Sequence, residues 1–166
     1  MKEIKLTKGQ LAIVDDEDYE ELSKYKWYAH VSRHSVYACR YVGDKVNGKG
    51  HLVRMHRQIM GDPVEFVIDH VNHNGLDNRK ENLRICTLSQ NSQNCIKTKP
   101  TKYLYKGIRF RGKKDVARPY SAQLTCGNKN YYLGIYATIV EAARAYDKKA
   151  KELFGEFANL NFPEEA

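Results

Sequence analysis

With 166 residues and a formal charge of +8, the chain is long enough for one domain or two small ones. Its basic balance favours a polyanionic partner, because a positive surface gains affinity by releasing counterions condensed on phosphates. Hydrophobic residues make up 42% of the chain at a mean hydropathy of -0.68, and no apolar run approaches the roughly 18 residues of a membrane span. The opening Met1-Lys2-Glu3-Ile4-Lys5 lacks an apolar signal core, so an intracellular protein is expected. The cysteines Cys39, Cys86, Cys95 and Cys126 form no CxxC pair, which argues against a zinc ribbon or a disulfide framework and for reduced thiols.

In chain order, Ile4-Lys5-Leu6 and Gln10-Leu11-Ala12-Ile13-Val14 read as short strands. Asp15 to Leu22 reads as a helical turn whose acids suit the positive end of a helix dipole. Trp27-Tyr28-Ala29-His30, Val36 to Tyr41 and Leu52-Val53-Arg54-Met55-His56 are strand candidates, with Gly43 to Gly50 as a hairpin loop. A short helix from His56 to Met60 is stopped by Gly61-Asp62-Pro63, and Phe66-Val67-Ile68 forms a strand that delivers Asp69 and His70. Leu76 to Glu81 is a polar loop, Leu83 to Thr87 a returning strand, and Ser89 caps a helix reaching about Cys95. The polar segment Lys97 to Lys102, with Pro100 and no apolar periodicity, marks a linker at 99–104 between a domain of residues 1–98 and one of residues 105–163.

The second domain has three strand candidates at hairpin spacing, Gly107 to Arg111, Tyr120 to Leu124 and Tyr131 to Tyr136. Thr138 then caps a helix whose buried stripe includes Val140, Ala143, Ala145, Tyr146, Ala150 and Leu153. Gly155 ends it, and Phe157 to Phe162 folds back on the core. Charge and chemistry are divided between the halves. Lys102, Lys106, Arg109, Arg111, Lys113, Lys114, Arg118 and Lys129 face only Asp115 in their segment, whereas all six histidines lie between His30 and His73.

The densest chemistry is Asp69-His70 followed by Asn72, Asn74, Asn78, Asn82, Asn91 and Asn94. Asparagine is a poor interior residue of helix or strand, so its repetition beside Asp and His points to oxygen ligands and placed hydrogen bonds. A strand-loop-strand-helix unit can hold one divalent cation between its first strand and its helix. Asp69 offers a hard oxygen and Asn91 a side-chain carbonyl. His70, next to Asp69 on a strand, points to the opposite face and suits proton abstraction from water at neutral pH. Arg57, Arg79 and Arg84 are all candidates to hold a phosphate.

These residues resemble the HNH endonuclease family, a branch of the ββα-metal nucleases, over about residues 56–95. The resemblance rests on the apolar run into Asp69-His70, on Asn78-Arg79-Lys80-Glu81-Asn82-Leu83, and on Thr87-Leu88-Ser89-Gln90-Asn91. It implies that Asp69 and Asn91 are metal ligands, that His70 is the general base and that Asn82 orients the histidine loop. Asn78 is an alternative for the last role. Asparagine at 91, where many members carry histidine, shifts the donors towards oxygen and so towards one Mg2+, with Mn2+ as the second choice. His73 is read as a loop-surface residue or a phosphate contact, His56 as a packed residue, and His30, His34 and His51 as structural or surface residues.

From Tyr105 to Phe162 the chain resembles the AP2/ERF DNA-binding domain. The carriers are Tyr105-Lys106-Gly107-Ile108-Arg109-Phe110-Arg111, Tyr132-Leu133-Gly134, Glu141-Ala142-Ala143-Arg144-Ala145-Tyr146-Asp147 and Asn159-Leu160-Asn161-Phe162-Pro163. The resemblance implies a three-stranded antiparallel sheet laid in the major groove and backed by one helix, with Lys106, Arg109, Arg111, Gln123, Thr125 and Tyr132 facing DNA. Gln123 and Thr125 stand where plant members carry an acid and an arginine, so a plant-type GC-box preference is not implied.

The expectation is therefore an α+β protein, with a strand-rich N-terminal region leading into a ββα-metal unit and then an AP2-like domain. Its expected activity is metal-dependent cleavage of double-stranded DNA, in the manner of phage or mobile-element homing endonucleases, in the cytoplasm of a bacterial or phage-infected cell. A monomer, having one such site, is expected to nick. The rivals are a non-catalytic DNA-binding regulator with a relic HNH unit, and an RNA nuclease, which the deep, narrow A-form groove disfavours.

Overall fold

Alternating side chains set the first elements of the chain, as seen in a computed structural model that describes residues 1–32, 35–44, 48–94, 105–112 and 117–165. The expected linker at 99–104, and Arg33, His34, Cys95, Lys102, Lys113, Lys114 and Asp115, lie outside the described residues. Packing divides the chain into two compact units, Met1–Asn91 and Ser92–Ala166. The described elements are mixed α and β, with small antiparallel sheets and few helices. No helix among the described residues is long and apolar enough to cross a membrane.

In the first unit, β1 (Lys2–Lys5) pairs antiparallel with β2 (Leu11–Val14) and turns Ile4, Ala12 and Val14 inward. These join Leu6, Leu22, Trp27, Ala38 and Met55 in one core, and the Trp27 indole N–H donates to the Leu22 carbonyl at 2.8 Å. Asp16, Glu17 and Asp18 occupy the first turn of α1 (Asp16–Leu22), where the helix dipole favours negative charge. A three-stranded antiparallel sheet follows, made of β3 (Tyr28–Val31), β4 (Val36–Asp44) and β5 (Lys49–Arg54). Its second hairpin is tighter than Gly43 to Gly50, because pairing continues to Asp44 opposite Lys49. The strand expected at Leu52 to His56 ends at Arg54, and Met55 already opens α2 (Met55–Ile59), its side chain fully buried.

A two-stranded antiparallel ribbon, β6 (Val67–His70) and β7 (Leu83–Cys86), carries the polar loop between its strands. The loop is braced from the N-terminal hairpin by a parallel bridge between Ile13 and Asp77. Ile13 N–H donates to the Leu76 carbonyl and Asn78 N–H to the Ile13 carbonyl, each at 2.8 Å. Asp15 Oδ2 accepts from Lys80 N–H at 2.8 Å, and Ser35 Oγ accepts from Gly75 N–H at 3.3 Å. Gly75 is required there: a Cβ would sit 2.5 Å from the Val36 carbonyl oxygen and 2.7 Å from the Tyr37 ring. Next comes α3 (Leu88–Gln93), within which the first unit ends at Asn91. Its start is held by Thr87 rather than Ser89. Thr87 Oγ1 accepts from Gln90 N–H at 3.2 Å, and Gln90 Oε1 accepts from Thr87 N–H at 2.9 Å, the reciprocal arrangement of a capping box.

In the second unit, β8 (Ile108–Phe110), β9 (Tyr120–Cys126) and β10 (Lys129–Tyr136) form an antiparallel sheet in the order β10-β9-β8. Across one face lies α4 (Ile139–Phe154), begun by a capping box between Thr138 and Glu141 and ended at Gly155. The buried face of α4 is Ala142, Ala143, Tyr146, Ala150 and Phe154, so Ala142 and Phe154 join the expected stripe while Val140, Ala145 and Leu153 are only half-buried. Ala158, Leu160 and Phe162 fold back on this core. Asp147 fixes them, its carboxylate accepting from Asn161 N–H at 2.8 Å and from Phe162 N–H at 2.9 Å. Gly107, at φ 78°, lets the chain pass Tyr146, whose ring a Cβ would meet at 2.0 Å.

Candidate active site

Alternation along β6 sends two adjacent side chains to different surroundings. Asp69, 6% exposed, sits opposite Arg84 in the β6-β7 register. There the arginine Nε and Nη2 both donate to Asp69 Oδ2, at 2.9 and 2.7 Å. His70, also 6% exposed, packs its ring edge-on against His56 at 5.0 Å between centroids and lies 5.8 Å from Tyr37. Tyr37 in turn contacts His56 at 5.3 Å.

Burial pushes the His70 imidazole below the usual histidine range, opposed by a side-chain hydrogen bond with Asn78 and by the carboxylates of Asp69 and Asp77. His56 is pushed further, to about 3, by burial first and then by His70, Arg54 and Arg57. Both rings are therefore neutral at neutral pH, the state a proton acceptor needs. Unfolding returns them to a pKa near about 6.5, so the unfolded chain binds more protons and stability rises with pH. The contribution is complete above about pH 6.5 and fades as the pH falls towards 3. Thermal melts between about pH 7.5 and about pH 4 are expected to show the first unit losing stability, and His56→Leu is expected to flatten that acid limb.

The asparagines sort into distinct tasks. Asn82 closes the loop at three points: its carbonyl accepts from Val71 N–H at 2.9 Å, its Oδ1 accepts from Asn72 N–H at 2.9 Å, and its Nδ2 donates to the Asp77 carbonyl at 2.8 Å. Asn72 and Asn74 each turn the backbone onto their own side-chain oxygen, accepting from Asn74 N–H at 2.9 Å and Leu76 N–H at 3.1 Å. Asn78 is fully buried, and its amide donates to the Leu76 carbonyl at 3.1 Å. Asn94 is buried in the second unit, where its carbonyl accepts from Asn159 Nδ2 at 3.1 Å.

Two residues of this neighbourhood, Asp77 and Tyr37, carry no flag in the sequence, and Arg84 carries one only as a phosphate candidate. Asp77, 3% exposed, accepts from Arg79 Nη2 at 2.7 Å and from Asn72 Nδ2 at 2.8 Å, and the arginine hydrogen bond holds its carboxyl below the ordinary range. Arg84 is committed to Asp69, and Tyr37 comes from a strand far away in sequence. Of the arginines considered for a phosphate, Arg79 also pairs with Glu81, and Arg57 pairs with Asp62 and donates to the Pro63 and Phe66 carbonyls. His73 is half-buried at φ 63°, and its N–H donates to the His70 carbonyl at 2.9 Å.

Asn91 is half-buried on α3, its N–H donating to the Thr87 carbonyl at 3.0 Å. Cys86 links it to Asp69, since the backbone N–H groups of both residues approach this buried thiol, whose pKa burial raises. The end of β6 and the first turns of α3 thus both approach one sulfur. No cluster of three or more His, Cys, Asp or Glu suited to a metal occurs among the described residues.

In the second unit, Arg109, Gln123, Thr125 and Tyr132 share the sheet face turned away from α4, with Tyr132 opposite Gln123 and 69% exposed. With its amide oxygen turned to Arg109, Gln123 accepts from Nε at 3.2 Å and Nη2 at 3.1 Å. Thr125 Oγ1 donates to Asn130 Oδ1 at 2.5 Å, and Arg111 is exposed just beyond β8. Lys106 lies apart from the others, half-buried, with Nζ donating to the Gln93 carbonyl at 2.9 Å.

A family model described as HNH endonuclease matches residues 57–93, the span holding Asp69, His70, Asn82 and Asn91. An HNH endonuclease of Acanthamoeba polyphaga mimivirus is 33% identical over 157 residues, covering 93% of this chain and 76% of that protein. The chain belongs to the HNH endonuclease family. Dehydration-responsive element-binding protein 2E of Arabidopsis thaliana is 50% identical over 38 residues, 23% of this chain and 16% of that protein. No solved structure matches. As an HNH endonuclease the chain is a nuclease acting on DNA, of a family that generally uses a divalent metal. An aspartate carboxylate and an asparagine amide, the side chains at 69 and 91, are hard oxygen donors of the type such a cation takes.

Proposed function

We propose that the protein is a metal-dependent endonuclease that hydrolyses phosphodiester bonds in double-stranded DNA. What carries this reading is the divergence of two adjacent side chains on β6 within the matched span: a carboxylate fixed opposite Arg84, and an imidazole kept neutral by burial. The ribbon and α3 act as a ββα-metal unit within a nuclease domain of residues 1–98, with Asp69 and Asn91 holding one Mg2+, or Mn2+ in its place. When bound, that cation supplies charge stabilisation to the phosphorane and the departing 3′ oxygen. His70 takes the proton of the attacking water, whose oxygen bonds to phosphorus as the bond to the 3′ oxygen breaks. Asn82, by tying both ends of the loop, keeps the His70 backbone in place.

Residues 105–163, joined through a linker at 99–104, act as an AP2/ERF-like module that targets the nuclease. The outward face bearing Arg109, Gln123, Thr125 and Tyr132, and the partial similarity to a plant element-binding protein, support this. Arg111 and Lys106 add phosphate contacts, Lys106 by exchanging its bond to Gln93. The resemblance favours a homing-type enzyme working as a monomer in the cytoplasm of a bacterial or phage-infected cell.

The test is supercoiled plasmid with Mg2+, in which the monomer is expected to give open circles before linear product. Failure to nick or linearise across Mg2+, Mn2+ and several plasmid sequences would favour a DNA-binding regulator instead. Arg109→Ala and Arg111→Ala are each expected to weaken DNA binding and to lower its salt slope by about one, without changing Mn2+ binding in the absence of DNA. Unchanged affinity in both variants removes the AP2-like face as the targeting surface.

A further inference from the structure

At the ribbon, the Asp69 carboxylate already faces a guanidinium before any ligand arrives. Asp69 carries the single carboxylate proposed as a ligand, and Arg84 covers one of its oxygens through two hydrogen bonds. The two side chains are 7% and 12% exposed, so water and salt screen them weakly. Asn91 adds only an uncharged amide to the proposed donors. A divalent cation placed on Asp69 meets a carboxylate and a guanidinium together, and the two fields largely offset each other. A DNA phosphate changes this balance by bringing negative charge and oxygen ligands, the usual complement of a magnesium site with few carboxylates.

Resting on the nuclease reading above, we infer that Arg84 makes metal loading and DNA binding mutually dependent: its guanidinium keeps the DNA-free site a poor cation host until a DNA phosphate enters beside it. Arg84 is then a positioning residue with two tasks. It fixes the Asp69 carboxylate by the fork on Oδ2, and it disfavours the cation until the substrate offsets its charge. Because such coupling is reciprocal, the cation tightens DNA binding by the same factor that DNA tightens cation binding.

The experiment measures Mn2+ binding to the full chain by electron paramagnetic resonance, with and without saturating sonicated duplex DNA. The Asp69→Ala protein with the same DNA supplies the background from Mn2+ held by the DNA itself. DNA is expected to tighten Asp69-dependent Mn2+ binding by on the order of tenfold or more, inside the roughly 5–150-fold range common for coupled sites. Arg84→Gln is expected to bind Mn2+ more tightly than wild type without DNA, to lose most of the DNA effect and to cut more slowly. Arg84→Lys, which keeps the charge, is expected to retain weak DNA-free binding. A merely structural ion pair predicts the reverse for Arg84→Gln, with Mn2+ binding weakened or unchanged. That result overturns the inference, as does wild-type Mn2+ affinity that DNA leaves unchanged, a measurement independent of whether Arg84→Gln folds. Absence of Asp69-dependent Mn2+ binding both with and without DNA removes the metal-nuclease reading itself.

Discussion

Replacing His70 with alanine is expected to slow DNA cleavage by roughly 10²–10⁴-fold, the range over which a positioned general base accelerates proton transfer. DNA binding is expected to survive, because burial already keeps this imidazole uncharged and its removal deletes no phosphate-attracting charge. The ring also supports its neighbours: His56 and Tyr37 lean on it at 5.0 and 5.8 Å. Thermal melts and DNA affinity must therefore accompany the rate, and a second variant, His70→Gln, fills more of the space without restoring the base. A rate lost in both variants, with affinity and melting close to wild type, separates chemistry from packing. Cleavage by His70→Ala at the wild-type rate would remove His70 from the mechanism.

Trp27→Ala is expected to destabilise the first unit by about 3–5 kcal/mol, the cost of emptying a large aromatic site in a packed core. Trp27 is 1% exposed, sits among Ile4, Leu6, Ala12, Val14, Leu22, Ala38 and Met55, and gives its indole N–H to the Leu22 carbonyl. Truncation leaves both a cavity and a carbonyl without that donor. Urea unfolding followed by far-ultraviolet circular dichroism reads the loss. The transition of the second unit, whose core is built around Tyr146 and Phe154, is expected to stay where it was. Cleavage is expected to fail at temperatures where wild type is active, because the strand holding Ile13 belongs to this core and braces the loop at Asp77. A shift below about 1 kcal/mol would mean that the unit is held together elsewhere.

The elements that local rules govern were readable from sequence. Thr138 with Glu141 is a capping box that the structure contains, Gly155 ends the helix as its position suggests, and period-two alternation separates Asp69 from His70. Errors fell where two local signals competed. Thr87 and Ser89 both suit a helix start, and only the side chain of Gln90, reaching back to Thr87, decides between them. What sequence left out is what register and tertiary packing create. Arg84 faces Asp69 only because β6 and β7 pair as they do, and a one-residue slip would send it to the other face. His56 resembled any packed histidine, since nothing near it in sequence announces the ring of His70. The N-terminal hairpin offered no histidine, cysteine, aspartate or asparagine, yet its backbone at Ile13 grips the loop on both sides.

That grip sets the limit of what can be moved as a piece. The span that carries the family likeness, residues 57–93, excludes Ile13, Asp15, Ser35 and Tyr37, each of which contacts a residue of the loop or the ring of His70. The segment is therefore no detachable cassette. A graft of it into a foreign host would carry the proposed ligands, the proposed base and the asparagines along, but would leave behind the strand, acid, hydroxyl and aromatic ring that contact them.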